Sequence, residues 1–244
     1  MTVIIGLLCA DGGILASDSQ GTDLEAYVRI EVVSKLFPLG SHIAWGTSGP
    51  NGLQQVIKES LDEAARANWP AKALPQLRPT IINKIVGRQK EGLSNYVALP
   101  GTRPPELEGI VCGHTAASCW LLEITRDGQQ EQHNKFCAVG SGKRHAYNLW
   151  GHLRHFEPHL GTVEIGKLIA YRIVHDVITN EAAFVGFPIK MWTIQEGGVV
   201  ELPKAEVDGL GALMTGWRNE EKQSLRRFLE GLGPAEDAAL DEQA

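Results

Sequence analysis

Short apolar runs alternate along the chain with segments of helical period. Val3 to Cys9 and Ile14 to Ser17 flank Asp11-Gly12-Gly13 and read as two strands joined by a tight turn, because Asp-Gly supplies the positive φ a hairpin needs. Tyr27 to Val33, Lys35 to Leu39 and His42 to Trp45 are strand-like, and Gly46 to Gly52 breaks the pattern. From Leu53 the apolar positions Val56, Ile57, Leu61, Ala64 and Ala65 recur three and four apart, as in an amphipathic helix ending before Trp69-Pro70. A second helix is predicted from Leu77 to about Lys90, with Ile81, Ile82, Ile85 and Val86 on its buried face. Pro100 to Pro105 is a loop. Gly109 to Gly113, Ser118 to Thr125 and Gln132 to Val139 are three more predicted strands, with Asp127-Gly128 as a hairpin turn.

The second half repeats the alternation. Gly140-Ser141-Gly142 leads into a helix with Ala146, Leu149, Trp150 and Leu153 on its buried face, closed by Pro158; Ile165 to Ile178 is the next helix. Ile189 to Ile194 and Val199 to Leu202 flank Gly197-Gly198 as a last hairpin, and Asn219 to Leu232 is a last amphipathic helix. Helices with one apolar face must bury it on a sheet. The order of elements therefore predicts an α+β, four-layer αββα sandwich, two antiparallel sheets between helix layers. With no internal repeat and no Gly/Ser-rich linker, residues 1–232 are expected to form a single domain, and the acidic tail 233–244 is expected to be disordered.

Composition narrows the function classes. The 244 residues are 43% hydrophobic and 21% charged, with a net charge of -6, so the chain lacks the basic face that phosphate binding needs and nucleic acid is not expected as a partner. No apolar run approaches the ~20 residues of a membrane span, and no basic segment precedes the apolar start. A cytoplasmic protein is expected. Cys9, Cys112, Cys119 and Cys137 form no C-x-x-C pair and sit in apolar strands, where cysteine acts as a small buried hydrophobe, so neither a disulfide nor a metal site is expected of them. His145, His152, His155 and His159 crowd one helix, and His155 and His159 have an i, i+4 spacing that metal sites use. No carboxylate pattern accompanies them, which favours a solvated or subunit-contacting face and no metal. Gly140-Ser141-Gly142 lacks the rest of a phosphate loop. Trp150 and Trp192 lie on apolar faces and are expected in the core.

The chain's most distinctive chemistry is at its start. Most N-termini are frayed and polar, yet here Thr2 stands directly behind Met1 at the mouth of an apolar strand. A lone threonine there is ordinarily just a β-branched residue opening a strand. If Met1 is removed, however, the freed α-amine, with a pKa of ~7.7–8, becomes a general base beside the Thr2 hydroxyl. One residue would then supply nucleophile and base.

The stretch TVIIGLLCADGGILASDSQGT, followed by SKLFPLGSHIAWGTSG and later AVGSG, resembles the proteasome β-subunit family and its bacterial relatives, including the HslV-type peptidases, all N-terminal-nucleophile hydrolases. The resemblance spans most of the chain. It implies that Thr2 is the nucleophile and that Asp18 holds the active-site lysine. Lys35 matches that lysine, one residue later than the usual spacing, which implies a one-residue insertion between them. Gly49, fourteen residues after Lys35, matches the glycine whose N–H forms the oxyanion hole. Ser141 matches the serine near the amine, and Thr22 the threonine whose backbone pairs with substrate. The physical sense is plain: a lysine beside the threonine stabilises the developing alkoxide, and Asp18 keeps the lysine oriented and charged. A single oxyanion donor contributes ~2.7–4 kcal/mol to the barrier.

The chain departs from the family pattern after the fourth helix, where Thr179-Asn180-Glu181-Ala182-Ala183-Phe184 replaces the family's aspartate and serine, with Asn180 or Glu181 as candidate substitutes. Pro50-Asn51-Gly52-Leu53 replaces the acidic turn after Gly49. The resemblance implies a threonine peptidase acting on peptides or unfolded proteins without a cofactor, in a homo-oligomeric ring fed by an unfoldase ATPase. Two alternatives keep the fold: a non-catalytic scaffold subunit, disfavoured by the lack of an N-terminal helical extension, and a small-molecule amidase.

Overall fold

The structure is a computed structural model that describes residues 2–23, 28–30, 33–66, 74–97, 107–115, 118–157, 160–180 and 185–231. In chain order the strands and helices are β1 (Ile4–Cys9), β2 (Gly12–Ser17), β3 (Gly21–Asp23), β4 (Val28–Ile30), β5 (Leu36–Pro38), β6 (Ile43–Ser48), α1 (Asn51–Arg66) and α2 (Leu74–Val97). Then come β7 (Glu108–His114), β8 (Cys119–Ile124), β9 (Gln130–His133), β10 (Phe136–Val139), α3 (Lys143–Leu153), α4 (Val163–Asn180), β11 (Lys190–Gln195), β12 (Gly198–Glu201) and α5 (Lys204–Gly231).

Two five-stranded antiparallel sheets, ordered β10-β1-β2-β11-β12 and β5-β6-β7-β8-β9, carry three layers of core. Side-chain alternation assigns each residue to a layer. On β1, Ile5, Leu7 and Cys9 join the apolar side chains of α3, α4 and α5. Ile4 and Leu8 point the other way, into the layer between the sheets with Ile110, Leu121 and Cys137. The outer face of the second sheet, Trp45, Val111, Trp120 and Leu122, packs on Ile57 and Leu61 of α1 and Ile81 and Ile85 of α2. This is the four-layer sandwich expected from the order of elements. Strands buried on both faces explain why their sequences read as unbroken apolar runs.

Several boundaries differ from the sequence expectation. The predicted strand Gln132 to Val139 is two strands: β9 closes one edge of the second sheet and β10 opens the first, so the chain changes sheets at residues 134–135. A single straight strand cannot belong to both sheets. The β1–β2 hairpin turns at Ala10-Asp11, and Gly12 and Gly13 lie inside β2, paired with Cys9 and Leu8. These glycines allow close packing here, since a Cβ on Gly13 would overlap the Cys112 sulfur. Lys35 precedes β5 rather than lying in it. β6 continues past Trp45 to Ser48, α1 begins at Asn51, and α2 runs beyond the predicted helix at both ends. α5 starts at Lys204, fifteen residues before the predicted Asn219, because Val207, Leu210 and Met214 dock its first half on the helical layer. Trp150 and Trp192 are half-buried against the core rather than within it. Pro158 and the tail from residue 232 lie outside the described residues.

Candidate active site

The register of β1 assembles the site. Ile4 is paired on one side with Ser17 of β2 and on the other with Val139 of β10. The next residues toward the N-terminus, Val3 and Thr2, are therefore flanked by whatever follows those two strands: Asp18 on one side and Gly140-Ser141-Gly142 on the other. Thr2 is buried, 6% exposed. Its main-chain nitrogen lies 3.2 Å from Ser141 Oγ, and its carbonyl accepts hydrogen bonds from Ser141 Oγ at 3.3 Å and the Gly142 N–H at 3.2 Å. Gly140 has φ 91°, and a Cβ there would overlap the Thr2 carbonyl, so the turn can lie against Thr2 only with glycine at that position.

Asp18 is fully buried and saturated. Its Oδ1 accepts from the Val3 N–H at 2.9 Å and Lys35 Nζ at 2.7 Å, and its Oδ2 accepts from the N–H groups of Gln20 and Gly186 at 3.2 Å each. Lys35, 3% exposed, reaches it from the start of β5, so the ion pair joins the two sheets behind Thr2. Burial lowers the pKa of the Lys35 ammonium below its usual 10.5, against the opposing attraction and hydrogen bond of Asp18. Desolvation thus outweighs the carboxylate, while Asp18 pulls toward the charged form, the role the sequence reading gave it. The proton on Lys35 is held less tightly than on a free lysine, so this side chain can steady an alkoxide when charged and take a proton when neutral.

This shift has a sign. Between the lowered folded value and 10.5, the unfolded chain binds the Lys35 proton and the folded chain does not, so stability rises with pH across that window. Urea midpoints measured from neutral pH to pH 10 are expected to carry this upward contribution, and a Lys35→Met variant to lack it. Equal slopes for the two proteins would contradict the assignment.

Gly49 lies at the junction of β6 and α1, half-buried. Gln54, in the first turns of α1, donates through Nε2 to the carbonyl of Thr47 at 2.8 Å and of Gly49 at 3.4 Å, fixing this junction. A cavity of about 390 Å³ opens between α1 and the segment before Lys35, lined by Val33, Phe37, Asn51, Gln54 and Lys58 among others. Thr22 lies in β3, its backbone in register with Arg29 of β4. The Asn180 amide donates to the Asp176 carbonyl at 2.8 Å, back onto its own helix. Glu181 lies outside the described residues.

Sequence reasoning missed Gln54 and Glu108. Glu108 is 7% exposed; its Oε2 accepts from the Gly140 N–H at 2.6 Å and its Oε1 from Arg126 Nε at 2.8 Å. An acid heading the apolar run Glu108–His114 was a legible signal for the second of these.

Other candidates resolve differently. Among the described residues, one group of three metal-ligating side chains comes together, Glu123, Glu131 and His133, with donor atoms within 4.8 Å of one another. Glu123 already accepts from Lys143 and from His133 at 2.9 Å; burial raises its pKa, and these bonds more than offset it to leave it lowered. His145 and His152 lie on α3, and His155 follows it with its ring against Phe156, while His159 is outside the described residues. The cysteines are free, and burial pushes the Cys9 and Cys119 thiols up to about 12. Among the described residues no helix is long and apolar enough to cross a membrane.

Two face-to-face antiparallel sheets between helix layers form the fold of the N-terminal-nucleophile hydrolases. A family model described as proteasome subunit matches residues 2–193, and the chain belongs to that family. It is 23% identical over 207 residues to a proteasome subunit beta of Methanothrix thermoacetophila, covering 85% of this chain and 94% of the relative. A proteasome subunit beta of Archaeoglobus profundus is 24% identical over 214 residues, covering 85% of this chain and 90% of the relative. Among solved structures, the helical assembly of the Anbu complex from Pseudomonas aeruginosa matches with a TM-score of 0.73 at 16% identity, over 92% of this chain and 96% of that one.

Proposed function

We propose that the chain is a threonine peptidase that hydrolyses peptide bonds through an acyl-enzyme ester on Thr2. The observation that carries this reading is the setting of Thr2: its nitrogen lies 3.2 Å from Ser141 Oγ, with the buried Asp18–Lys35 pair one residue away. Once Met1 is removed, that nitrogen is an amine, and a hydroxyl beside it is a proper position for an amine to accept and return a proton.

In the proposed reaction the α-amine takes the Thr2 hydroxyl proton as the oxygen attacks the substrate carbonyl. Lys35 steadies the alkoxide, and the Gly49 N–H receives the charge that moves to the carbonyl oxygen. The protonated amine gives its proton to the leaving amine, and water, activated by the same amine, releases the acyl product. Thr22 pairs with the substrate backbone, and the cavity beside α1 receives a substrate side chain. No cofactor takes part in this scheme. The reading extends to a cytoplasmic homo-oligomer, a ring or a helical assembly as in the Anbu neighbour, that admits peptides or unfolded proteins, with an unfoldase ATPase as the feeding partner.

Intact-mass measurement before and after treatment with a threonine-reactive β-lactone tests the reading. Loss of one methionine, followed by addition of one inhibitor per chain, is the expected result. A retained Met1 with no adduct would turn the reading to a non-catalytic scaffold subunit, and an adduct with turnover of small amides but no peptide to the amidase alternative.

A further inference from the structure

Glu108 occupies an unusual place for a buried carboxylate. Its main chain is the cross-strand partner of Ser48, the residue before Gly49. Its side chain reaches toward the first sheet and accepts the Gly140 N–H at 2.6 Å, at the start of the turn whose Ser141 and Gly142 bind the Thr2 carbonyl. The two sides of the site, the Gly49 junction and the Ser141 turn, therefore meet at one residue. Gly140 is at φ 91°, and a Cβ built on it would come within 3.0 Å of Ser48 Oγ, so the two segments are in close approach.

A carboxylate buried this far is costly unless its oxygens are filled. Here one oxygen is taken by a backbone N–H in a charge-assisted bond and the other by Arg126, half-exposed at the rim. An apolar residue would suit the strand better, as it does at the neighbouring Ile110 and Val111. The chain carries a charge where packing alone has no use for one, and its contact is with the turn that holds the nucleophile.

We infer that Glu108 is a positioning residue: through Gly140 it fixes the distance between Thr2 and the Gly49 oxyanion donor. It touches neither substrate nor the reacting atoms. The inference rests on the threonine-peptidase reading above, because the distance it fixes matters only if Thr2 attacks and Gly49 receives charge.

The test compares Glu108→Ala and Glu108→Gln with the wild type, following single-turnover labelling of Thr2, kcat and KM on a peptide substrate, and hydrogen exchange of the Gly140–Gly142 amides. Glu108→Ala is expected to lower kcat and the labelling rate about 10²-fold, the scale of a misplacement of about 1 Å, with KM nearly unchanged and faster exchange at Gly140. Glu108→Gln retains an acceptor oxygen for Gly140 and is expected to recover most of both. A loss that fell on KM, or wild-type labelling in a folded Glu108→Ala, would overturn the inference. If Glu108→Ala fails to fold, Glu108→Met decides in its place, because it fills the space of the side chain but offers Gly140 no oxygen acceptor; wild-type exchange at Gly140 and wild-type labelling in the folded variant would then refute the role. A wild type that never labels overturns the threonine reading itself, and exchange at Gly140 still reports whether Glu108 holds the turn.

Discussion

Thr2→Ala is expected to lose peptide hydrolysis by at least about 10⁴-fold and to take up no β-lactone, while unfolding at nearly the wild-type temperature. The two halves of this expectation come from different atoms. The chemistry needs the hydroxyl, which alanine lacks. The contacts that fasten residue 2 are made by its main chain, its nitrogen to Ser141 and its carbonyl to Ser141 and Gly142, and these survive the substitution. A stability change of about 1 kcal/mol or less is therefore expected in thermal melts. Thr2→Ser keeps a hydroxyl beside the amine and is expected to retain part of the labelling. Full labelling of Thr2→Ala would sink the mechanism, and a collapse in stability would mean that the side chain holds the strand end in place.

The second large effect belongs to the buried ion pair. Lys35→Met leaves Asp18 fully buried with three backbone donors but no counter-charge, and breaking a buried pair in this way costs about 3–5 kcal/mol. Asp18→Asn is expected to be as damaging, because it leaves the Lys35 ammonium buried at 3% exposure and places amide hydrogens against backbone N–H groups. In the double variant, Lys35→Met with Asp18→Asn, the two losses should be much less than additive, since no unpaired charge remains. Activity should not follow stability. Labelling of the double variant is expected to stay on the order of 10²–10³-fold below wild type, because the positive charge beside the nucleophile is gone. A double variant that regained labelling with its stability would make the pair a structural element only.

The Anbu and proteasome relatives bear on these predictions only through the fold and the family. At 16% identity the Anbu structure shares the fold, at 23–24% the proteasome subunits share the family, and the chemistry at Thr2 rests on this chain's own residues.

Much of the architecture was legible in the sequence because local period and burial agreed. Strands buried on both faces appear as unbroken apolar runs, as at Ile4–Cys9 and Phe136–Val139, and the helical period from Leu53 to Leu61 reflects one face packed on the second sheet. The order of these segments was enough for two sheets between helices. Thr2, Asp18, Lys35 and Ser141 were legible too, through their resemblance to a known pattern rather than through any local rule. What only the tertiary structure decided is how those residues meet. Ser141 is 139 positions from Thr2 and reaches it because Ile4 is in register with Val139, a pairing set by which apolar faces fit across the sheet. The change of sheet between β9 and β10 is likewise a property of the assembled sheets, each strand pairing in a different one. Lys35 owes its lowered pKa to burial between the layers, a property of the assembled core that no spacing encodes. Gln54 carries no signal in the sequence and Glu108 only that of an acid heading an apolar run; what each touches is decided when folding brings a carboxylate to Gly140 and an amide to Thr47 and Gly49.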